Sequence, residues 1–183
     1  DRTVGIIGLG NIGQDLAKLL QPFGCRLLGN DILDRSVFAN KHRIKLVNKE
    51  EIFYSSDIVT IHVPLTTSTH QLVDMSSFEL MNNEAYLINT SRGSVVDQSA
   101  LKKALKNGCI AGAAIDVFEE EPPTDMSFLQ LPNLIPTPHI SGNSYEAVLA
   151  MGRNSIKHIE DNLLTSSDKD LLDRSNTVLL AAN

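Results

Sequence analysis

At 183 residues and 20.0 kDa, the chain has room for one α/β domain with a substantial core. Sixteen basic residues against 22 acidic ones leave a formal charge of −6, which argues against a nucleic-acid partner, whose footprint would be basic. The 42% apolar and 21% charged content is that of a globular chain, and the two cysteines, Cys25 and Cys109, are too few for a disulfide framework.

The predicted elements alternate. A strand over Thr3–Ile7 is followed by a helix over Asn11–Leu20, with Ile12, Leu16, Leu19 and Leu20 on one stripe. Gly24 falls where a left-handed cap is expected, before strands over Arg26–Leu28, Lys45–Val47, Ile58–Val63 and Tyr86–Asn89. A second helix, Gln98–Lys106, places Ala100, Leu101, Ala104 and Leu105 on one face and ends at Gly108. Strands over Ile110–Ile115 and Leu134–Pro136 follow. The stretch 119–138, carrying Pro122, Pro123, Pro132, Pro136 and Pro138, otherwise reads as loop. A closing helix is expected over Tyr145–Leu164, then a polar tail from Thr165 that turns apolar over Thr177–Ala182. Strand–helix–strand repetition of this kind predicts an α/β fold with a doubly wound, mostly parallel sheet. The expected division is a dinucleotide-binding domain over 1–166 and a tail over 167–183.

The first strand runs directly into Gly8-Leu9-Gly10-Asn11-Ile12-Gly13, which opens the first helix. The first glycine permits the tight turn, the second lets backbone approach a pyrophosphate, and the third lets helix and strand pack closely. The helix N-terminus adds N–H groups and a positive dipole end. An acid is then expected after the second strand, and Asp31 stands 18 positions beyond Gly13. Its carboxylate suits the two ribose hydroxyls and repels a 2′-phosphate, so NAD is favoured over NADP, although Arg35 nearby could accommodate a phosphate. This is a Rossmann-type pattern.

Four ordered segments, Gly8–Gly13, Asn89–Asp97, Ala114–Pro122 and Thr137–Gly142, make residues 3 to 164 resemble the D-isomer-specific 2-hydroxyacid dehydrogenase family. The resemblance implies a catalytic set of Arg92, Glu121 and His139. Arg92 would hold the substrate carboxylate, which a guanidinium fork matches. His139 would be the general acid and base, since an imidazole does both near neutrality. His42, His62, His70 and His158 have no comparable setting. An acid would orient His139; the residues alone leave Glu119, Glu120 and Glu121 open, and the family's acid-before-proline pattern selects Glu121.

The resemblance extends to the cofactor. Asn11 and Ile12 would supply backbone at the pyrophosphate, and His62, Val63 and Pro64 would pass beside the adenine. Thr69 would reach a phosphate or ribose hydroxyl, Thr90 and Asp116 would meet the nicotinamide half, and Gly142 would let backbone approach it. A small 2-keto or 2-hydroxy acid is the implied partner. Neither membrane, nucleic acid nor metal is expected, the setting is cytoplasmic, and the full-length parent is expected to form a homodimer. Family members have two lobes, whereas this sequence opens on Asp1 and enters a strand at once. An isolated cofactor domain is therefore expected, one that binds NADH and turns over keto acids poorly. A different class of protein, the NAD-responsive corepressors, shares such a domain and is the alternative. A generic nucleotide-binding domain would leave the last three segments unexplained.

Overall fold

The computed structural model describes residues 2–162, so the expectations for the tail over 167–183, and for Leu164 closing the last helix, lie outside the described residues. The described chain forms two compact units, one ending at Ile140 and one beginning at Ser141. In the first, seven strands form one wholly parallel sheet in the order β3-β2-β1-β4-β5-β6-β7. The strands are β1 Thr3–Ile7, β2 Arg26–Asn30, β3 Ile44–Leu46, β4 Ile58–Ile61, β5 Tyr86–Asn89, β6 Gly112–Ile115 and β7 Leu134–Pro136. The helices of this unit are α1 Asn11–Leu20, α2 Ser36–Lys41, α3 Lys49–Ser55, α4 Met75–Leu80, α5 Gln98–Asn107 and α6 Met126–Leu129. The second unit contributes α7, Tyr145–Asn162, with an internal Lys157–Asp161 ion pair of 3.2 Å.

Successive residues of a strand face opposite sides of the sheet, and β1 divides its contacts accordingly. Val4 and Ile6 join Leu9, Leu27, Ile44 and, from α1 and α2, Ala17 and Ala39. Ile7 and Leu28 join the larger cluster on the other face, with Ile52 and Phe53 of α3, Phe78 of α4, and Leu101 and Leu105 of α5. Burial on both faces explains why β1 is apolar on consecutive residues.

Several boundaries differ from expectation, each for a local reason. Ile12 and Leu19 of the expected α1 stripe are exposed, and α1 buries Gly13 and Ala17 instead. Close packing selects the small residues: a Cβ on Gly13 would lie 2.0 Å from the Gly8 carbonyl oxygen. The fourth strand stops at Ile61 rather than Val63, because Pro64 has no N–H to extend a ladder. The sixth begins at Gly112 rather than Ile110, since Gly108 (φ 68°) and the Cys109 N–H to Ala104 O bond (2.9 Å) still belong to the end of α5. The proline-rich stretch is not all loop: Asp125 accepts from Phe128 N–H and starts the single turn α6, which buries Phe128. Helices α2, α3 and α4 were not anticipated, although Asn48 and Asp74 cap α3 and α4 through Glu51 N–H (2.8 Å) and Ser77 N–H (3.0 Å).

Among the described residues no helix is long and apolar enough to cross a membrane. Because the α1–β1 approach leaves no room at Gly13, Gly13→Ala is expected to destabilise the unit by about 1–3 kcal/mol, read from the urea midpoint at constant m-value.

Candidate active site

Parallel strands put all their carboxyl ends at one edge, and the order reverses between β1 and β4. A crevice opens at such a reversal, because the connections leave the two strands in opposite directions. Gly8 follows β1, Asp31 follows β2, His62 follows β4, Thr90 and Arg92 follow β5, Asp116 follows β6, and His139 lies just past β7. The expected site residues up to His139 therefore share one edge. Gly142 belongs to the second unit.

The turn after β1 depends on its glycines. Gly8 has φ 97°, and a Cβ there would lie 2.7 Å from the His62 carbonyl, so only glycine lets the β1 and β4 exits come together. A Cβ on Gly10 would meet nothing within 4 Å, which leaves an open approach above the turn. Gly10 is the N-cap of α1, and among the described residues no side chain caps that helix. Its first N–H groups are thus available to an anion. Gly8, Gly10, Asp31, His62, Val63, Pro64 and Thr69 line one cleft of about 450 Å³. The donor set and the cleft fit a dinucleotide.

Asp31 is already engaged. Its Oδ2 accepts from Leu9 N–H (2.8 Å), and Oδ1 accepts from Leu33 N–H (2.8 Å). Arg35 Nε lies 3.4 Å from Oδ2, so this guanidinium faces the carboxylate rather than standing apart from it. The Thr69 hydroxyl donates to Pro64 O (2.6 Å) and accepts from Thr66 N–H (2.7 Å), so it shapes the cleft wall and its proton is committed there. His62 is half-buried beside the Thr60 hydroxyl (3.0 Å), and burial pushes its pKa down, favouring the neutral ring.

At the β5–β7 end, His139 Nδ1 lies 2.7 Å from Glu121 Oε2. Of the three adjacent acids, Glu121 is the one whose carboxylate meets the ring, whereas Glu119 accepts from Gln98 N–H (3.0 Å) at the start of α5. The second Glu121 oxygen accepts from Phe118 N–H (3.0 Å). The hydrogen bond from His139, then that from Phe118, holds the Glu121 carboxyl below its ordinary value. An ionised carboxylate only accepts, so Nδ1 carries the proton and Nε2 is the nitrogen turned away from Glu121. His139 itself takes φ 54°, a left-handed conformation that is unfavourable for a residue with a Cβ. Asp116 braces that turn: its Oδ1 accepts from the Thr137 hydroxyl (2.6 Å) and from Ile140 N–H (2.9 Å), one on each side of His139. Arg92 is exposed, with Nη1 donating to Ser91 O (2.6 Å).

Two residues of this site were not anticipated. Asn89, 1% exposed, takes both Ser91 N–H (3.0 Å) and the Ser91 hydroxyl (2.8 Å) on Oδ1 and gives Nδ2–H to Arg92 O (3.0 Å). Gly93 packs so closely that a Cβ would lie 1.9 Å from the Phe118 carbonyl carbon. A polar residue ending an otherwise apolar strand was the signal available for Asn89.

Comparison with known proteins agrees with this layout. Glyoxylate reductase of Korarchaeum cryptofilum is 44% identical over 146 residues, 79% of this chain and 44% of that protein. D-3-phosphoglycerate dehydrogenase of Methanocaldococcus jannaschii is 41% identical over 152 residues, 82% of this chain and 29% of that protein. The chain thus spans less than half the length of these curated relatives. Among solved structures, a D-lactate dehydrogenase from Sporolactobacillus sp. matches with TM-score 0.79 and 38% identity, over 91% of this chain and 55% of that one. D-lactate dehydrogenase from Aquifex aeolicus, solved with NAD and lactic acid, matches with TM-score 0.79 and 31% identity, over 87% and 52%. Residues 1–141, which end one residue beyond the first unit, match the family described as D-isomer specific 2-hydroxyacid dehydrogenase, NAD binding domain, and it is to this family that the chain belongs.

Proposed function

We propose that this chain is the cofactor-binding part of an oxidoreductase that interconverts a small 2-keto acid and a D-2-hydroxy acid, with NAD(H) as cofactor. The observation that carries the reading is the 2.7 Å Glu121–His139 pair on the same strand-end edge as Arg92 and the uncapped glycine turn. Glyoxylate, the substrate in the name of one relative, is a member of that class.

Backbone N–H groups of Asn11, Ile12 and Gly13 would hold the pyrophosphate, and Asp31 the adenosine ribose. His62, Val63 and Pro64 would flank the adenine, with Thr69 shaping that wall, while Thr90 and Asp116 would meet the nicotinamide half. When bound, NAD(H) supplies or accepts the hydride. Arg92 pairs with the substrate carboxylate through its guanidinium fork and fixes the carbonyl carbon. His139 gives the Nε2 proton to the carbonyl oxygen in the reducing direction and takes it back in the oxidising one. Glu121 holds Nδ1–H, which sets the ring orientation and stabilises the imidazolium.

In the complete oxidoreductase, Arg92→Ala is expected to lower kcat/KM for the keto acid on the order of a hundredfold while NADH affinity, measured by calorimetry, is largely retained. An NAD-responsive binding module demands the opposite, with no 2-keto acid turned over by either protein.

The coenzyme preference has its own test. A 2′-phosphate would have to displace Arg35 from a carboxylate of the same sign, so NADH should bind more tightly than NADPH. Asp31→Ala is expected to weaken NADH about tenfold and to narrow the gap to NADPH. An unchanged NADH/NADPH affinity ratio would show that Asp31 does not set the preference.

The lowered Glu121 pKa also makes a stability prediction. Because the folded state favours the ionised carboxylate, the contribution is present above the ordinary value of 4.5 and fades as pH falls through the lower folded value. Wild type should therefore exceed Glu121→Gln in urea midpoint at neutral pH and lose that advantage progressively as pH falls below 4.5.

A further inference from the structure

Arg92 and His139 lie on different strand exits, and among the described residues no ion pair joins exposed Arg92 to the Glu121–His139 pair; something else must fix their separation. We propose that Asn89 is the positioning residue that holds the Arg92 turn in register with the Glu121–His139 pair. The inference rests on the function proposed above and deepens it.

Asn89 ends β5 and is almost wholly buried. Its side chain is used in both directions. Oδ1 accepts from Ser91 N–H and Ser91 Oγ–H, and Nδ2 donates to the carbonyl of Arg92. A carboxylate could accept both Ser91 bonds but would set a second acceptor against the Arg92 carbonyl. An alanine would leave Ser91 N–H without this acceptor and the Arg92 carbonyl with Val95 N–H (3.2 Å) as its remaining backbone donor, so the turn would lose its tie to the end of β5. Asparagine is the side chain of this size that both accepts and donates.

The backbone of the same residue reaches the other half of the site. Asn89 O accepts from Asp116 N–H (3.0 Å), and Asp116 Oδ1 takes the Thr137 hydroxyl and Ile140 N–H on either side of His139. A second route runs in parallel. Gly93, immediately after Arg92, packs on the Phe118 carbonyl, and Phe118 N–H binds Glu121. Arg92 is therefore tied to His139 through Asn89 and Asp116, and to Glu121 through Gly93 and Phe118. The first route needs the Asn89 side chain, and it controls the direction in which Arg92 leaves the strand. The adenosine cleft contains no part of this network. Its loss should consequently be felt more by the substrate anion than by the cofactor, whose adenosine half lies outside the network.

The experiment compares wild type, Asn89→Asp, Asn89→Ala and Ser91→Ala of the complete oxidoreductase in three measurements. These are steady-state reduction of glyoxylate, NADH affinity by calorimetry, and amide hydrogen exchange at Ser91 and Arg92. Asn89→Asp is expected to raise the glyoxylate KM about tenfold, more than it lowers kcat, with NADH affinity within about twofold of wild type. Asn89→Ala should approach a hundredfold, and Ser91→Ala, which loses only the hydroxyl bond, about threefold. Exchange at Ser91 N–H should speed up in the order of these losses. The proposal is overturned if a folded Asn89 variant keeps the wild-type KM, if NADH and glyoxylate weaken equally, or if Ser91 exchange is unchanged. Should Asn89→Ala fail to fold, Asn89→Asp and Ser91→Ala decide by the same criteria. A wild-type protein that turns over no 2-keto acid would count against the proposed function, and Ser91 exchange in the variants would still decide whether Asn89 fixes the turn.

Discussion

The site depends first on how closely the backbone can approach itself at three exits of the sheet. At Gly8 the β1 turn meets the β4 exit, at Gly13 the first helix meets that turn, and at Gly93 the Arg92 turn meets the segment that leaves β6. At each of these positions a single methyl group would overlap main-chain atoms, which cannot rotate away as a side chain can. The parallel sheet sets the strand ends side by side, but a parallel sheet alone leaves adjacent exits separated by the width of ordinary side chains. The absent Cβ atoms bring the crevice together.

Legibility in the sequence followed from the range of the interaction responsible. The glycine turn could be read because its requirements are local and ordered along the chain, and the strands because burial on both faces leaves apolar runs. The α1 stripe misled, since periodicity says which residues share a side of a helix but not which side the sheet takes. Gly13 and Ala17, the smallest residues of α1, face it because closeness there is limited by volume. Glu119, Glu120 and Glu121 could not be separated by composition. Their carboxylates diverge only once the chain turns, one toward α5 and another toward His139. Asn89 was silent for a similar reason: its partners lie two and three residues ahead, but its carbonyl partner lies on a neighbouring strand exit.

The two halves of the edge are physically different. Around Asp31 and Thr69, polar side chains are already spent on neighbouring backbone, so the cleft offers shape and main-chain N–H groups more than unspent side-chain hydrogen bonds. Such a surface needs little rearrangement to accept a ligand. Around Arg92, Glu121 and His139 the groups are charged or titratable and open to water. Rigidity there comes from beneath, from buried Asn89 and Asp116, and not from enclosure.

That exposure limits what the catalytic half can do unaided. The side chains of His139 and Glu121 are 48% and 38% exposed, so their mutual attraction is screened by solvent, and a guanidinium–carboxylate contact at Arg92 would be screened as well. A proton transfer timed to a hydride transfer gains most where water is excluded and the same charges act in a lower dielectric. The geometry that holds the imidazole and the guanidinium is already in place within residues 89–140, so a cover over this edge would need to supply little further orientation. Its contribution would be to remove water, which would strengthen the Glu121–His139 contact and a guanidinium–carboxylate contact at Arg92 together. Division of labour of this kind, with orientation from buried hydrogen bonds below and dielectric from whatever closes above, explains how a site so open can be so closely specified in its bonding.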